Sequence, residues 1–313
     1  MKTQLLVSAS GLGAGKKGAE LGPFALRIAC ENSDSTFFKD KKLVIEENDH
    51  RLYTSSNKYN YPYLQQILDF NELICNRSAE MLGSEDCEKL IVLAGDHSNA
   101  VGSISGLKKS NPSANIGVIW IDAHADLHSP YSTPSFNIHG MPLAALCCFD
   151  NKKIGDAEPV DDQVKFWKEL KSIGGNEISP KIAPENLVFI GIRDLEEPEW
   201  RLIKKHNIKH FEPNHIEELG IESVISQTLE HLENVDVLYI TFDVDSMDPS
   251  ISEGTGTPVP NGLSKEEASK LLNAFYHHQK CKILEITEIN PLLDTENKMA
   301  KAVVDVLKKA KIK

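Results

Sequence analysis

The chain is poor in positive charge. Its 313 residues carry 34 Lys and Arg against 46 Asp and Glu, a formal net charge of −12. That balance argues against nucleic acid or an anionic membrane as the main partner, because both are held by basic patches. A cationic small molecule is better suited to such a surface. The six cysteines, Cys30, Cys75, Cys87, Cys147, Cys148 and Cys281, form no C-x-x-C pair. Zinc-ribbon and thioredoxin-like readings therefore fail, and thiols scattered in this way suit a reducing cytoplasm. Cys147-Cys148 lies in an apolar run and reads as core packing. No apolar run approaches the length of a membrane-spanning helix. The apolar part of Met1–Ser8 is too short for a signal peptide and reads as a first strand. Repeats, low-complexity tracts and flexible linkers are also missing. Lys152–Lys181, with Gly174-Gly175, reads as a polar surface excursion, so residues 1–313 are expected to form a single domain. The glycine-rich Ser10–Gly18 fits neither phosphate-binding pattern. Ser10 stands where the first P-loop glycine belongs and Lys17 where the Ser/Thr belongs, while Lys16 takes the third glycine's place in G-x-G-x-x-G.

What is present is an alternation of short apolar runs with longer amphipathic ones. Leu5–Ser8, Lys42–Ile45, Leu90–Ala94, Ile116–Ile121, Leu187–Ile192, Val235–Phe242 and Lys282–Ile286 read as strands. Among the helix-like runs, Tyr63–Met81 carries Leu64, Ile67, Leu68 and Ile74 at helical spacing. Ser264–His278 opens on Ser264 with Glu267 three residues on, a capping box. Asn297–Ile312 ends in lysines, which suit a helix C-terminus. Strands alternating with helices predict an α/β fold, a parallel sheet covered on both faces, and such sheets bind ligands beyond the carboxyl ends of their strands.

Four of those ends carry one chemistry. Leu90–Ala94 runs into Gly95-Asp96-His97-Ser98, and Ile116–Ile121 into Asp122-Ala123-His124-Ala125-Asp126. Val235–Thr241 runs into Phe242-Asp243-Val244-Asp245, and Lys282–Ile286 into Thr287-Glu288-Ile289-Asn290-Pro291. Alternate residues of a strand share a face, so Asp122, His124 and Asp126 converge if the strand continues. A lone D-x-H would be a polar strand end, but the repetition favours a metal site. His97, Asp122, His124, Asp126, Asp243 and Asp245 are the candidate ligands: four carboxylates, two imidazoles and no thiolate. Four carboxylates suit two divalent ions rather than one zinc, and hard oxygen donors favour manganese. Two metals about 3.5–4 Å apart can ionise a shared water at neutral pH.

With these motifs in this order the chain resembles the ureohydrolases, the superfamily of arginases and agmatinases. The resemblance runs from Gly11–Pro23 through the four strand ends and Gly254-Thr255-Gly256-Thr257-Pro258 to Asn290-Pro291. It implies a three-layer α/β/α fold and two Mn2+ ions per subunit. His97, Asp122, Asp126 and Asp243 would surround one ion, and Asp122, His124, Asp243 and Asp245 the other. It also implies a catalytic role for Asp126 as proton carrier, for His139 as proton shuttle to the leaving amine, and for Glu288 as the carboxylate that orients the guanidinium. A trimeric or hexameric homo-oligomer is the assembly it suggests.

The loop His128–Gly140 is similar to the arginase loop rather than the agmatinase one. Thr133, Ser135 and Asn137 match positions that hydrogen-bond the α-carboxylate of arginine, although the same residue types also make ordinary turns. Thr257 matches a position in the pocket wall. Two departures stand out. His128 replaces the asparagine usual in arginases at an α-carboxylate contact, and Glu196 replaces the aspartate that binds the α-amino group, with Glu199 as the second acidic contact. The expected reaction is hydrolysis of L-arginine to L-ornithine and urea. Agmatine or another guanidino acid, such as guanidinobutyrate, is the runner-up substrate, and a metal-stabilised scaffold protein is the non-catalytic alternative.

Overall fold

A computed structural model describes residues 2–47 and 63–313. Its eight described strands form one all-parallel sheet: β1 Thr3–Ala9, β2 Leu43–Glu47, β3 Lys89–Ala94, β4 Ile116–Ile121, β5 Leu187–Ile190, β6 Lys209–Phe211, β7 Val237–Asp243 and β8 Cys281–Thr287. The order across the sheet is β2-β1-β3-β8-β7-β4-β5-β6. Seven of these are the strands expected from apolar runs. The eighth, β6, escapes such a reading because Lys209-His210-Phe211 is three residues long with one apolar side chain, and it lies at the sheet edge.

The helices are α1 Gly22–Glu31, α2 Leu64–Leu82, α3 Ala100–Ser110, α4 Pro142–Leu146, α5 Asp161–Lys171, α6 Glu197–His206, α7 Pro213–Leu219, α8 Ile221–His231, α9 Lys265–His277 and α10 Lys298–Lys309. They cover both faces of the sheet. Residues of α1, α8, α9 and α10 pack with Leu5, Ile91, Ile119, Ile121, Ile240 and Leu284. Residues of α2, α3, α4 and α6 pack with Leu6, Val92, Val118, Trp120 and Ile283. Along β4 the side chains alternate between these two cores, as the two-residue repeat of a strand requires. The result is the expected three-layer α/β/α arrangement. The polar stretch Lys152–Lys181 contributes α5, which buries Phe166, Trp167 and Leu170.

The strand order matters most for the site. β3, β8, β7 and β4 are consecutive neighbours, so all four polar strand ends lie side by side. All six cysteines are unpaired, and no described helix is long and apolar enough to cross a membrane.

Candidate metal centre

The candidate metal ligands are placed at or just beyond the carboxyl ends of β3, β4 and β7. Beyond β4, Asp122 Oδ1 accepts the His124 amide at 2.8 Å. At the end of β7, Asp243 Oδ1 accepts the Asp245 amide at 2.8 Å. In both cases the first carboxylate turns the backbone so that the next ligand, two residues on, re-enters the cleft. Beyond β3, Asp96 accepts the Ser98 amide at 2.9 Å, and its Oδ2 accepts the amides of Gly13 and Ala14 at 2.7 and 3.1 Å. The glycine-rich loop is thereby bound to the rim. Gly13 lies so close that a Cβ there would sit 2.4 Å from Ser98 Oγ. Asp126 and Glu288 hold left-handed backbones, at φ of 52° and 66°, which cost non-glycine residues energy and are common at functional sites.

Two groups of donors result. His97 Nδ1 lies 3.0 Å from Asp122 Oδ2, 3.1 Å from Asp126 Oδ2 and 3.1 Å from Asp243 Oδ2. His124 Nδ1 lies 3.1 Å from Asp245 Oδ2 and 3.4 Å from Asp122 Oδ1. Asp122 therefore faces both imidazoles, one with each oxygen. Four of the six residues are no more than 2 % exposed, Asp126 is 6 % exposed, and His124 opens furthest to the cleft.

The donor chemistry fits cations. His97 Nδ1 and Asp122 Oδ2 are buried without a hydrogen-bond partner although three carboxylates crowd the imidazole. Converging oxygens that make no aligned hydrogen bond are what a divalent ion between them would satisfy. Protonation reflects the same crowding. Burial, then the Asp122 charge, pushes the Asp126 carboxyl up to about 7. Burial, then Asp245 and Asp122, raises Asp243 well above the carboxylate range. Burial opposes charge on His97, but the three carboxylates outweigh it and raise the imidazole well above its usual value. The groups His97–Asp122–Asp243 and Asp122–His124–Asp245 are each compact enough to hold an ion.

Above them opens a cleft of about 210 Å³ that every predicted site residue lines. Glu288 Oε1 accepts the His97 amide at 2.9 Å and lies 3.0 Å from His139 Nδ1. Burial disfavours a charged His139, yet Glu288 prevails and pushes it up to about 9. Thr257 Oγ1 donates to Asp245 Oδ2 at 3.0 Å. Thr133 Oγ1 accepts the amides of Ser135 and Phe136 at 3.3 and 2.9 Å, and Ser135 Oγ accepts that of Asn137 at 3.2 Å. These are turn contacts. A hydroxyl that accepts an amide still has its own hydrogen to donate, so the turn aims donors rather than consuming them.

The two departures from the arginase pattern meet each other. His128 Nε2 lies 2.9 Å from Glu196 Oε2 and 3.4 Å from Glu199 Oε2. Burial opposes the charge on His128, but both glutamates outweigh it and push the imidazole up to about 10. Glu199 is buried, and its two oxygens accept the Leu127 and Glu196 amides at 3.1 Å each. This trio is also compact enough for a metal, but none of its atoms is left buried and unpartnered, so it reads as an ion pair.

Residue types alone missed several supports. Arg193 donates to the carbonyls of Gly191, Asp245 and Val259 at 2.8–2.9 Å, tying three loops behind the centre. Trp120 stacks on His97 with ring centroids 4.1 Å apart. A charged residue in Ile192-Arg193-Asp194, next to an apolar strand, was the available signal for the first.

The family model described as "Arginase: Arginase family" matches residues 5–312. The arginase of Staphylococcus aureus strain COL is 36% identical over 306 residues, covering 95% of this chain and 93% of that protein. The arginase of Bacillus subtilis strain 168 is 32% identical over 299 residues, with the same coverage. A crystal structure of the B. subtilis arginase superposes with a TM-score of 0.83 at 30% identity, covering 100% of this chain and 99% of that one.

Proposed function

The chain belongs to the arginase family, and from that premise we propose that it hydrolyses L-arginine to L-ornithine and urea with two Mn2+ ions. The observation that carries the reading is the pair of donor groups sharing Asp122, beneath a cleft that also holds His139, Glu288 and the polar loop. His97, Asp122, Asp126 and Asp243 would hold one ion, and Asp122, His124, Asp243 and Asp245 the other. When bound, the ions supply the Lewis acidity that ionises water at neutral pH.

This chain's residues do the rest. Glu288 spends Oε1 on the His97 amide and His139, which leaves Oε2 for a guanidinium N–H, a strong charge-assisted acceptor. Asp126, which lines the cleft beside His97, takes the proton of the attacking water. Water oxygen bonds to the guanidinium carbon. The bond from that carbon to the nitrogen on the ornithine side breaks, and its electron pair stays on that nitrogen. His139, protonated beside Glu288, delivers a proton there. As the urea C=O forms, the second proton of the attacking oxygen restores His139 and the proton held by Asp126 passes to the departing amine, so the products are urea and the ornithine ammonium.

At the cleft mouth, Thr133, Ser135, Asn137 and His128 would donate to the α-carboxylate and Glu196 would accept from the α-ammonium. Glu199 adds negative charge there and fixes the Leu127 and Glu196 backbones. Thr257 orients Asp245. The same reading makes the protein a cytoplasmic homo-oligomer, trimer or hexamer, that binds manganese. Sedimentation and metal analysis of the purified protein test those two points. Parallel urea-release assays on L-arginine, agmatine and 4-guanidinobutyrate test the substrate. L-Arginine is expected to give the highest kcat/KM; a preference for agmatine, which lacks the carboxylate, overturns the assignment.

A further inference from the structure

The glycine-rich loop 10–18 lies at the cleft rim, and the proposed chemistry gives it no part. It is held there on two sides. Asp96 Oδ2 accepts the Gly13 and Ala14 amides, and the Gly13 carbonyl accepts the His139 amide at 3.2 Å. Gly15 packs against Asn137, where a Cβ would sit 2.8 Å from Asn137 Nδ2. The missing side chain lets the backbone approach Asn137 and brings the next residue, Lys16, to the rim. Lys16 and Lys17 then do different things. An ammonium has three hydrogens to donate. Lys17 Nζ spends all three inside the loop, on the carbonyls of Gly11, Leu12 and Ala14 at 3.0, 3.1 and 2.8 Å. Lys16 Nζ spends one, on the Gly256 carbonyl at 2.7 Å, and two remain for a ligand.

The bond to Gly256 holds Lys16 on the wall of a second cavity of about 440 Å³. That cavity adjoins the metal cleft, because Asn137, His139, Asp194 and Thr257 line both. Among the described residues no other Lys or Arg lines either one. Eight carboxylates line the cleft, and two divalent ions would offset four of their charges. Even with His128 and His139 protonated, the cleft stays net negative. A guanidinium is drawn into such a field, whereas a carboxylate is repelled unless a fixed positive charge meets it. We propose that Lys16 is a substrate-binding residue that sets the preference for guanidino acids. Its ammonium meets the substrate carboxylate from the second cavity, and Asn137, on the wall between the two cavities, donates to the same carboxylate. The inference rests on the L-arginine reading above.

Steady-state kinetics of the full chain with Mn2+ present test this, with agmatine as a competitor that carries the guanidinium but no carboxylate. Lys16→Met is expected to raise the KM for L-arginine about two- to fivefold, the range of an exposed charge pair, with kcat little changed. The inhibition constant of agmatine should stay the same or fall, since removing a cation from the rim does not penalise a cationic ligand. The KM for L-arginine should also respond less to added NaCl than in the unaltered protein, because the pair that salt screens is gone. Lys16→Arg, which keeps the charge, should restore the KM. A lysine that merely ties the two loops together would disturb both ligands alike. Equal weakening of L-arginine and agmatine, a fall in kcat at constant KM, or an unchanged KM for L-arginine therefore overturns the binding role. A higher kcat/KM for agmatine than for L-arginine in the unaltered protein overturns the substrate reading instead.

Discussion

Asp122 carries more of the proposed site than any other side chain, because its two oxygens face two different imidazoles, at 3.0 and 3.4 Å. Asp122→Ala is expected to lose bound metal and urea release together, by more than the 10–100-fold or so that losing a ligand's outer hydrogen-bond partner costs. Elemental analysis and a urea assay on the same preparation check this, and full activity in that variant would sink the two-metal reading. His128 and Glu196 are a coupled pair, since the extra methylene of glutamate is what spans the 2.9 Å contact. His128→Asn should raise the KM for L-arginine several-fold with kcat little changed, the signature of lost uniform binding. The effects of His128→Asn and Glu196→Asp should not add, with an interaction of about 0.5–3 kcal/mol in a double-mutant cycle. At His139 the sign of the pH dependence is fixed by its partner. Its pKa is raised by Glu288 from 6.5 to about 9, so the pairing stabilises the fold fully below pH 6.5 and fades as pH rises through 9. In the chelator-treated protein, the denaturant midpoint of His139→Asn should fall below that of the parent at pH 6 and approach it at pH 10.

At the scale of elements, local signals were legible where they repeat within one segment. The capping box at Ser264 is present as expected: Ser264 Oγ accepts the Glu267 amide at 3.2 Å and Glu267 Oε2 accepts that of Ser264 at 2.8 Å. Ser264→Ala should cost about 1 kcal/mol by denaturant unfolding, with turnover unchanged. The central strands were legible because they are buried on both faces and so nearly continuous in apolar residues. β6 was not, because an edge strand of three residues has too little pattern to detect. Nor did the sequence alone reveal that Glu199 closes the first turn of α6 while it lines the cleft. A carboxylate at that helical position serves a cap and a site equally well, and only the position of Leu127 across the gap distinguishes them.

For the whole molecule, the decisive feature is that β3, β8, β7 and β4 are neighbours. Four carboxylates from two of those strands are thereby confined in one buried space, where like charges repel with little screening. Metal should consequently stabilise the fold. Chelation is expected to lower the thermal midpoint and Mn2+ to restore it, with about 2.7 kcal/mol gained at a free concentration 100 times the dissociation constant. A melting curve indifferent to Mn2+ would contradict the fit of the donors to cations.

By itself the sequence determined the kinds of candidate ligand, their positions at strand ends, and the α/β layering. Each of these follows from residue chemistry or from periodicity within a few neighbours along the chain. Only the tertiary structure decided which strand ends meet, that the two imidazoles share Asp122, and that His128 pairs with Glu196. Apart from His124 and Asp122, those relations join residues 25 to 191 positions apart in the chain. No local pattern encodes them, because strand order and register are set by which faces pack together in the sheet and not by the neighbours of any one residue.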